Sequence, residues 1–94
     1  MYSVIETQII SVRYWASARS AAGVDSDRLA VEAPVTLTAL LGLLVSLHPE
    51  RRLLPVLEAC SVLVGDLPVS SEDPDDVLVP PGASVEFLPP FAGG

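Results

Sequence analysis

The residues with the most chemical potential close the chain: Pro89-Pro90-Phe91-Ala92-Gly93-Gly94. Gly93 and Gly94 carry no side chains, so backbone and terminal carboxylate can enter a narrow channel in another protein. The proline pair cannot donate to a β-ladder and favours an extended backbone. From Pro89 onward the segment can reach roughly 20 Å. That is comparable with the ~12 Å radius of gyration expected of a domain this long. Two terminal glycines arise by chance in about 0.5% of chains when glycine makes up ~7% of residues. Two prolines and an aromatic ahead of them make simple fraying a poor account.

The other reactive residue types give weaker signals. Glu72-Asp73-Pro74-Asp75-Asp76 lacks the spacing and glycine of a calcium loop and reads as a solvated acidic loop. Cys60 enters an apolar strand and reads as a small buried hydrophobe rather than a nucleophile. His48 stands at a helix end, where the helix dipole favours it. It is the single histidine, and Ser17, Ser20, Ser61, Ser70, Ser71 and Ser84 lie far from it in sequence, so no catalytic triad is suggested. Arg51-Arg52 reads as a solvated pair.

Composition narrows the classes further. The 94 residues allow one small domain. Half are hydrophobic and 18% are charged, a globular balance. One cysteine excludes an internal disulfide, and one cysteine with one histidine excludes a zinc site of Cys and His ligands within one chain. All five basic residues are arginines, which excludes a GxxxxGK phosphate loop and a Schiff-base lysine. A net charge of −7 would repel nucleic acid and anionic lipid and suits a basic protein partner. The N-terminus lacks the pattern of a signal peptide, and the longest apolar stretch, Leu37 to Leu47, is too short to span a bilayer. The expected location is cytoplasmic.

The elements that must position the tail follow from periodicity. Residues 1–8 read as an extension. From Ile9 a strand places Ile10, Val12 and Tyr14 on one face and Ser11, Arg13 and Trp15 on the other. Ala16 to Ala22 is rich in helix formers and stops at Gly23. Val24 to Asp27 reads as a turn, and Leu29 and Val31 mark a second strand ending before Pro34. Thr36 suits an N-cap, and Leu37, Leu40, Leu41, Leu44 and Leu47 form the apolar stripe of a helix that Pro49 stops. Glu50 to Glu58 reads as a connection with room for a helical turn around Leu53 to Leu57. Ser61 to Val64 is a compact strand, Gly65-Asp66 a hairpin turn, and Leu67-Pro68-Val69 a return strand that proline confines to an edge. Ser84 to Leu88 is the last strand, with Val85 and Phe87 facing one way and Leu88 the other. The expected class is α+β: a mixed sheet of four or five strands crossed by one main amphipathic helix. Leu40, Leu41 and Leu44 are expected in its core with Val12, Val62, Val85 and Phe87.

These residues resemble a family. Val12-Arg13-Tyr14-Trp15-Ala16, Thr36-Leu37 with the leucine helix and His48-Pro49, the hairpin at Val64 to Val69, and Phe87-Leu88-Pro89-Pro90-Phe91-Ala92-Gly93-Gly94 are similar to the MoaD/ThiS sulfur carriers. The resemblance covers residues 9–94, and its tail looks most like that of molybdopterin synthase small subunits. Gly65-Asp66 stands where the family often has Asn-Gly.

The resemblance implies a ubiquitin-like β-grasp fold filling one domain over residues 1–94, with 89–94 a flexible tail. It implies a carrier that is no enzyme alone. An ATP-dependent activating enzyme would adenylate Gly94, and a sulfur donor such as a cysteine desulfurase or rhodanese-like protein would convert it to a thiocarboxylate. The large subunit of molybdopterin synthase would receive the tail. Gly93 and Gly94 would carry the chemistry; Leu88, Pro89, Pro90, Phe91, Ala92 and Trp15 would contact partners. The chain itself would bind no cofactor and no metal, and ATP would belong to the activating partner. Alternatives are a sulfur carrier for thiamin, cysteine, tRNA thiolation or a natural product, a ubiquitin-like modifier of other proteins, or a β-grasp binding module with an inert tail.

Overall fold

Alternation of Ile10, Val12 and Tyr14 with Ser11 and Arg13 builds the first strand. In the computed structural model, which describes residues 8–90, it is β1 (Ile9–Tyr14), with those three apolar side chains buried. Helix α1 (Ala16–Ala22) ends at Gly23, whose φ of 80° is left-handed and whose N–H donates to the Arg19 carbonyl at 2.9 Å. Strand β2 (Ser26–Ala30) runs antiparallel to β1, with Val12 opposite Asp27. It therefore begins inside the segment expected to be a turn. Ser26 and Asp27 are polar and hide the strand, yet both pair with β1.

β3 (Val35–Thr36) leads directly into α2 (Leu37–Leu47). The Thr36 hydroxyl caps the helix, accepting from the Ala39 N–H at 3.0 Å. Such a cap contributes about 1 kcal/mol. α2 buries Leu37, Leu40, Leu41 and Leu44. The expected connection after Pro49 contains a full third helix, α3 (Leu53–Ala59), which buries Leu53 and Leu57. Pro55 is tolerated there because it lies in the first turn, where its missing N–H has no helical partner to lose.

β4 (Ser61–Val64) turns through Gly65, at φ 60°, into β5 (Leu67–Pro68). β6 (Leu78–Val79) pairs with β3 in a separate two-stranded ladder, Val35 opposite Val79. Neither β3 nor β6 was anticipated, since two residues cannot display a period and no hairpin turn marks them as Gly65-Asp66 marks β5. β7 (Ser84–Leu88) completes the main sheet, whose order is β2-β1-β7-β4-β5. The β1–β7 pair is parallel and the other pairs are antiparallel. Pro68 sits on an edge strand, where its missing donor is harmless.

The expected core is present: Leu40, Leu41, Leu44, Val12, Val62, Val85 and Phe87 are all buried. The Tyr14 and Phe87 rings stack with centroids 6.0 Å apart. No helix among the described residues is long and apolar enough to cross a membrane.

Candidate functional site at the base of the tail

The parallel pairing of β1 with β7 decides where the tail leaves. Arg13 lies opposite Glu86 and Tyr14 opposite Phe87, so both strands run out at the same end of the sheet. Trp15 and Leu88 therefore emerge side by side, which an antiparallel pair would have prevented. The Trp15 N–H donates to the Phe87 carbonyl at 3.0 Å, continuing the ladder one residue past the strand. Leu88 is half-buried on the face opposite Val85 and Phe87, and Pro89 and Pro90 are exposed. Phe91, Ala92, Gly93 and Gly94 lie outside the described residues, as does the extension up to residue 7.

The Trp15 side chain is held in place while remaining 39% exposed. Its indole Nε1–H donates to Glu86 Oε1 at 2.9 Å, and the Arg13 guanidinium lies 4.6 Å from the ring centroid. A fixed aromatic with a satisfied polar edge presents area to a partner at little entropic cost. Trp15 stands on the strand face opposite Val12, as the alternation of β1 predicts. Arg13 and Glu86 were not singled out in the sequence. Alternation alone puts Arg13 on the face of Trp15 and Glu86 on that of Leu88; only the long-range register joins the two strands.

The next residue is strained. Ala16 has φ 49°, a left-handed conformation that costs an alanine about 1 kcal/mol. The bend lets Trp15 extend the sheet while α1 starts one residue later. Strain of this kind gathers at functional positions.

A second polar cluster lies inside the fold. His48 forms the C-cap of α2, and its Nε2 is 2.7 Å from Asp27 Oδ2. The same carboxylate oxygen accepts from the Tyr14 hydroxyl at 2.8 Å. His48 is thus more than a helix-end residue, because it ties α2 to the β1–β2 pair. Burial, then the hydrogen bond to Asp27, then the Asp27 charge push the Tyr14 phenol far above its ordinary range. The folded value is raised, so the stabilisation is complete below the unfolded phenol value of about pH 10 and is lost as pH rises above it. Denaturant midpoints should fall above about pH 10, and a Tyr14→Phe variant should show a shallower fall. A fall of equal slope in both proteins would mean that Tyr14 ionises normally.

Cys60 is buried, as expected; its thiol donates to the Val56 carbonyl at 3.2 Å, and burial pushes the thiol up, away from the reactive thiolate. The acidic loop folds back on itself and on α2. Asp73 accepts from the Asp75 N–H at 2.9 Å, and Thr38 donates to Asp75 at 2.5 Å. No group of three His, Cys, Asp or Glu side chains among the described residues is arranged to hold a metal ion.

The ThiS family model matches residues 12–94, spanning the sheet, the helices and the glycine tail. The chain belongs to the ThiS family. This ThiS chain is 35% identical over 83 residues to the molybdopterin synthase sulfur carrier subunit of Aspergillus niger, covering 88% of the chain and 91% of the relative. Its fold is similar to that of small archaeal modifier protein 1 from Methanosarcina acetivorans (TM-score 0.68, 20% identity, 92% and 96% coverage). It is also similar to Urm1 from Trypanosoma brucei (TM-score 0.64, 22% identity, 93% and 96% coverage). The ThiS chain is therefore a sulfur carrier of the MoaD/ThiS type, and its five-stranded mixed sheet is the ubiquitin-like β-grasp.

Proposed function

We propose that this carrier is the small subunit of a molybdopterin synthase and that Gly94 is the atom-carrying end of a single β-grasp domain. The observation that carries the reading is the shared exit of β1 and β7, which sets the Trp15–Leu88 surface beside the first residues of a Pro-Pro-Phe-Ala-Gly-Gly tail. The relative in Aspergillus niger supports the choice of pathway.

The chemistry follows from the weakness of a carboxylate as an electrophile. An activating enzyme couples the Gly94 carboxylate to ATP, releasing pyrophosphate and leaving an acyl-adenylate. A persulfide sulfur attacks that carbonyl and displaces AMP. A thiol then attacks the donor's sulfur, forms a disulfide with it and releases a thiocarboxylate, whose anionic sulfur is the better nucleophile. Inside the large subunit it attacks the cyclic pterin precursor to form a thioester, and water cleaves the acyl–sulfur bond, leaving sulfur on the pterin and restoring the carrier's carboxylate. ATP and pterin pockets belong to the partners; this chain supplies reach, a narrow end and a docking surface. A cytoplasmic setting suits partners that need ATP and reduced sulfur.

Intact mass tests the reading. Incubation with the cognate activating enzyme, ATP and a sulfur donor should replace one oxygen by sulfur at Gly94. An unchanged mass beside a converted control carrier would overturn it. The docking surface has its own test. Leu88→Arg and Phe91→Ala should each weaken binding to the large subunit by about tenfold or more with nearly unchanged melting temperature. Normal binding of both variants in calorimetry would place the docking surface elsewhere.

A further inference from the structure

We propose that the cleft between α2, α3 and the segment after β5 is a second docking site, which takes two apolar side chains carried on a basic helical segment of a partner protein. The cleft encloses about 550 Å³. Leu41, Leu57 and Val62 line its floor, and Val45, Leu54 and Val69 line its walls. Its charged lining residues are Glu58 and Glu72, and none is basic. Volumes of this size accept more than one side chain. An acid-rimmed apolar groove complements an amphipathic helix whose flanks are lysine or arginine.

Gly42 is the independent sign. It lies inside α2 and contributes to the cleft wall. Nothing stands within 4 Å of the place a Cβ would occupy, so packing does not require a glycine there. Nor does the backbone, since its φ is not among the positive ones. Glycine inside a helix is disfavoured relative to alanine. A bare wall that the fold itself does not need suits the close approach of another chain. The exposed side chain of Ser46 donates to the Gly42 carbonyl at 3.0 Å.

A second copy of this chain is a poor occupant, because each copy would bring the same glutamates and a net charge of −7. The cleft also faces away from the tail surface. Phe87 lines it, whereas Glu86 and Leu88 point to the opposite side of the sheet. A partner seated there leaves Trp15 and the tail accessible, so one protein could hold the carrier while another works on its end.

The test is an amide NMR titration of the full chain with a short helical peptide bearing leucines three and four residues apart and lysines elsewhere. Shifts should gather at Leu41, Gly42, Val45, Leu54 and Val69. Gly42→Leu should weaken binding about tenfold or more while preserving the fold, as its melting temperature reports. Glu58→Gln with Glu72→Gln should weaken it about threefold and reduce its salt dependence. The proposal is overturned if shifts gather at Arg13, Trp15 and Leu88, or if no shifts appear. It is also overturned if Gly42→Leu binds equally well, or if a glutamate-for-lysine peptide does. Octylammonium binding as tightly as the peptide would make the cleft a small-molecule site. Cleft shifts that depend on protein concentration alone would make it a self-association surface. Either result ends the proposal.

Discussion

Deleting Gly94 is expected to abolish sulfur transfer and leave the melting temperature unchanged. One residue of extended chain spans at most ~3.3–3.6 Å, so the shortened tail withdraws its carboxylate by that distance. Misplacement of a reacting group by about 1 Å can already cost on the order of 100-fold in rate. The deletion thus removes the adenylation step at the activating enzyme, and with it every later step. Stability should not change, because among the described residues the last one buried in the core is Phe87 and the last strand ends at Leu88. Intact mass with the activating enzyme and a sulfur donor reads the first effect, and thermal unfolding reads the second. A truncated chain that still gains sulfur would show that Gly94 is not the acceptor. Gly94→Ala separates length from width: it keeps the reach and adds one methyl where the channel must be narrow.

Asp27→Ala should be the costliest polar substitution, at about 2–4 kcal/mol. One carboxylate oxygen accepts from Tyr14 and faces His48, so a single deletion strips two side chains of their partner. Leaving a buried polar group without its partner costs about 1–3 kcal/mol. Two groups lose theirs here, and the 14% and 17% exposure of the His48 and Asp27 side chains holds the sum below its upper end. Tyr14→Phe should cost about 1 kcal/mol, since it removes one hydrogen bond and leaves the carboxylate paired. Urea unfolding of both variants checks the ranking. An Asp27→Ala chain as stable as Tyr14→Phe would show that His48 contributes nothing to the tie between α2 and the sheet.

What could be read from the sequence was whatever is local. The leucine stripe of α2 from Leu37 to Leu44, the Thr36 cap, the Gly23 stop and the Pro68 edge each depend on residues within one or two turns of each other, and each is found in the structure; Leu47, expected to end the stripe, is exposed because it lies in the last turn of the helix. β3 and β6 were invisible because, unlike β5, neither two-residue strand has a tight turn to its partner, and they depend on each other across the chain. α3 was seen only as a possible turn, since Pro49 and Pro55 punctuate the stretch around it. The surface at the tail's base was half legible. Trp15 and Leu88 were each placed on the outward face by alternation, but the Arg13 and Glu86 contacts that hold the indole need the β1–β7 register. The Asp27 cluster was missed for the same reason: its members stand 13 and 21 residues apart.

The position of β7 at the centre of the sheet bears on how the chain reaches its native state. Its parallel partner β1 lies about seventy residues earlier, and contacts across such separations are made late and slowly. No sheet can close around a missing middle, so the main sheet stays incomplete until the strand that leads to the tail is in place. Proteolytic damage reaching back into β7 would unfold the whole chain and expose it to clearance, while damage confined beyond Leu88 would leave a folded but idle carrier. The fold thereby censors its own broken copies, except those that have lost only the final few residues.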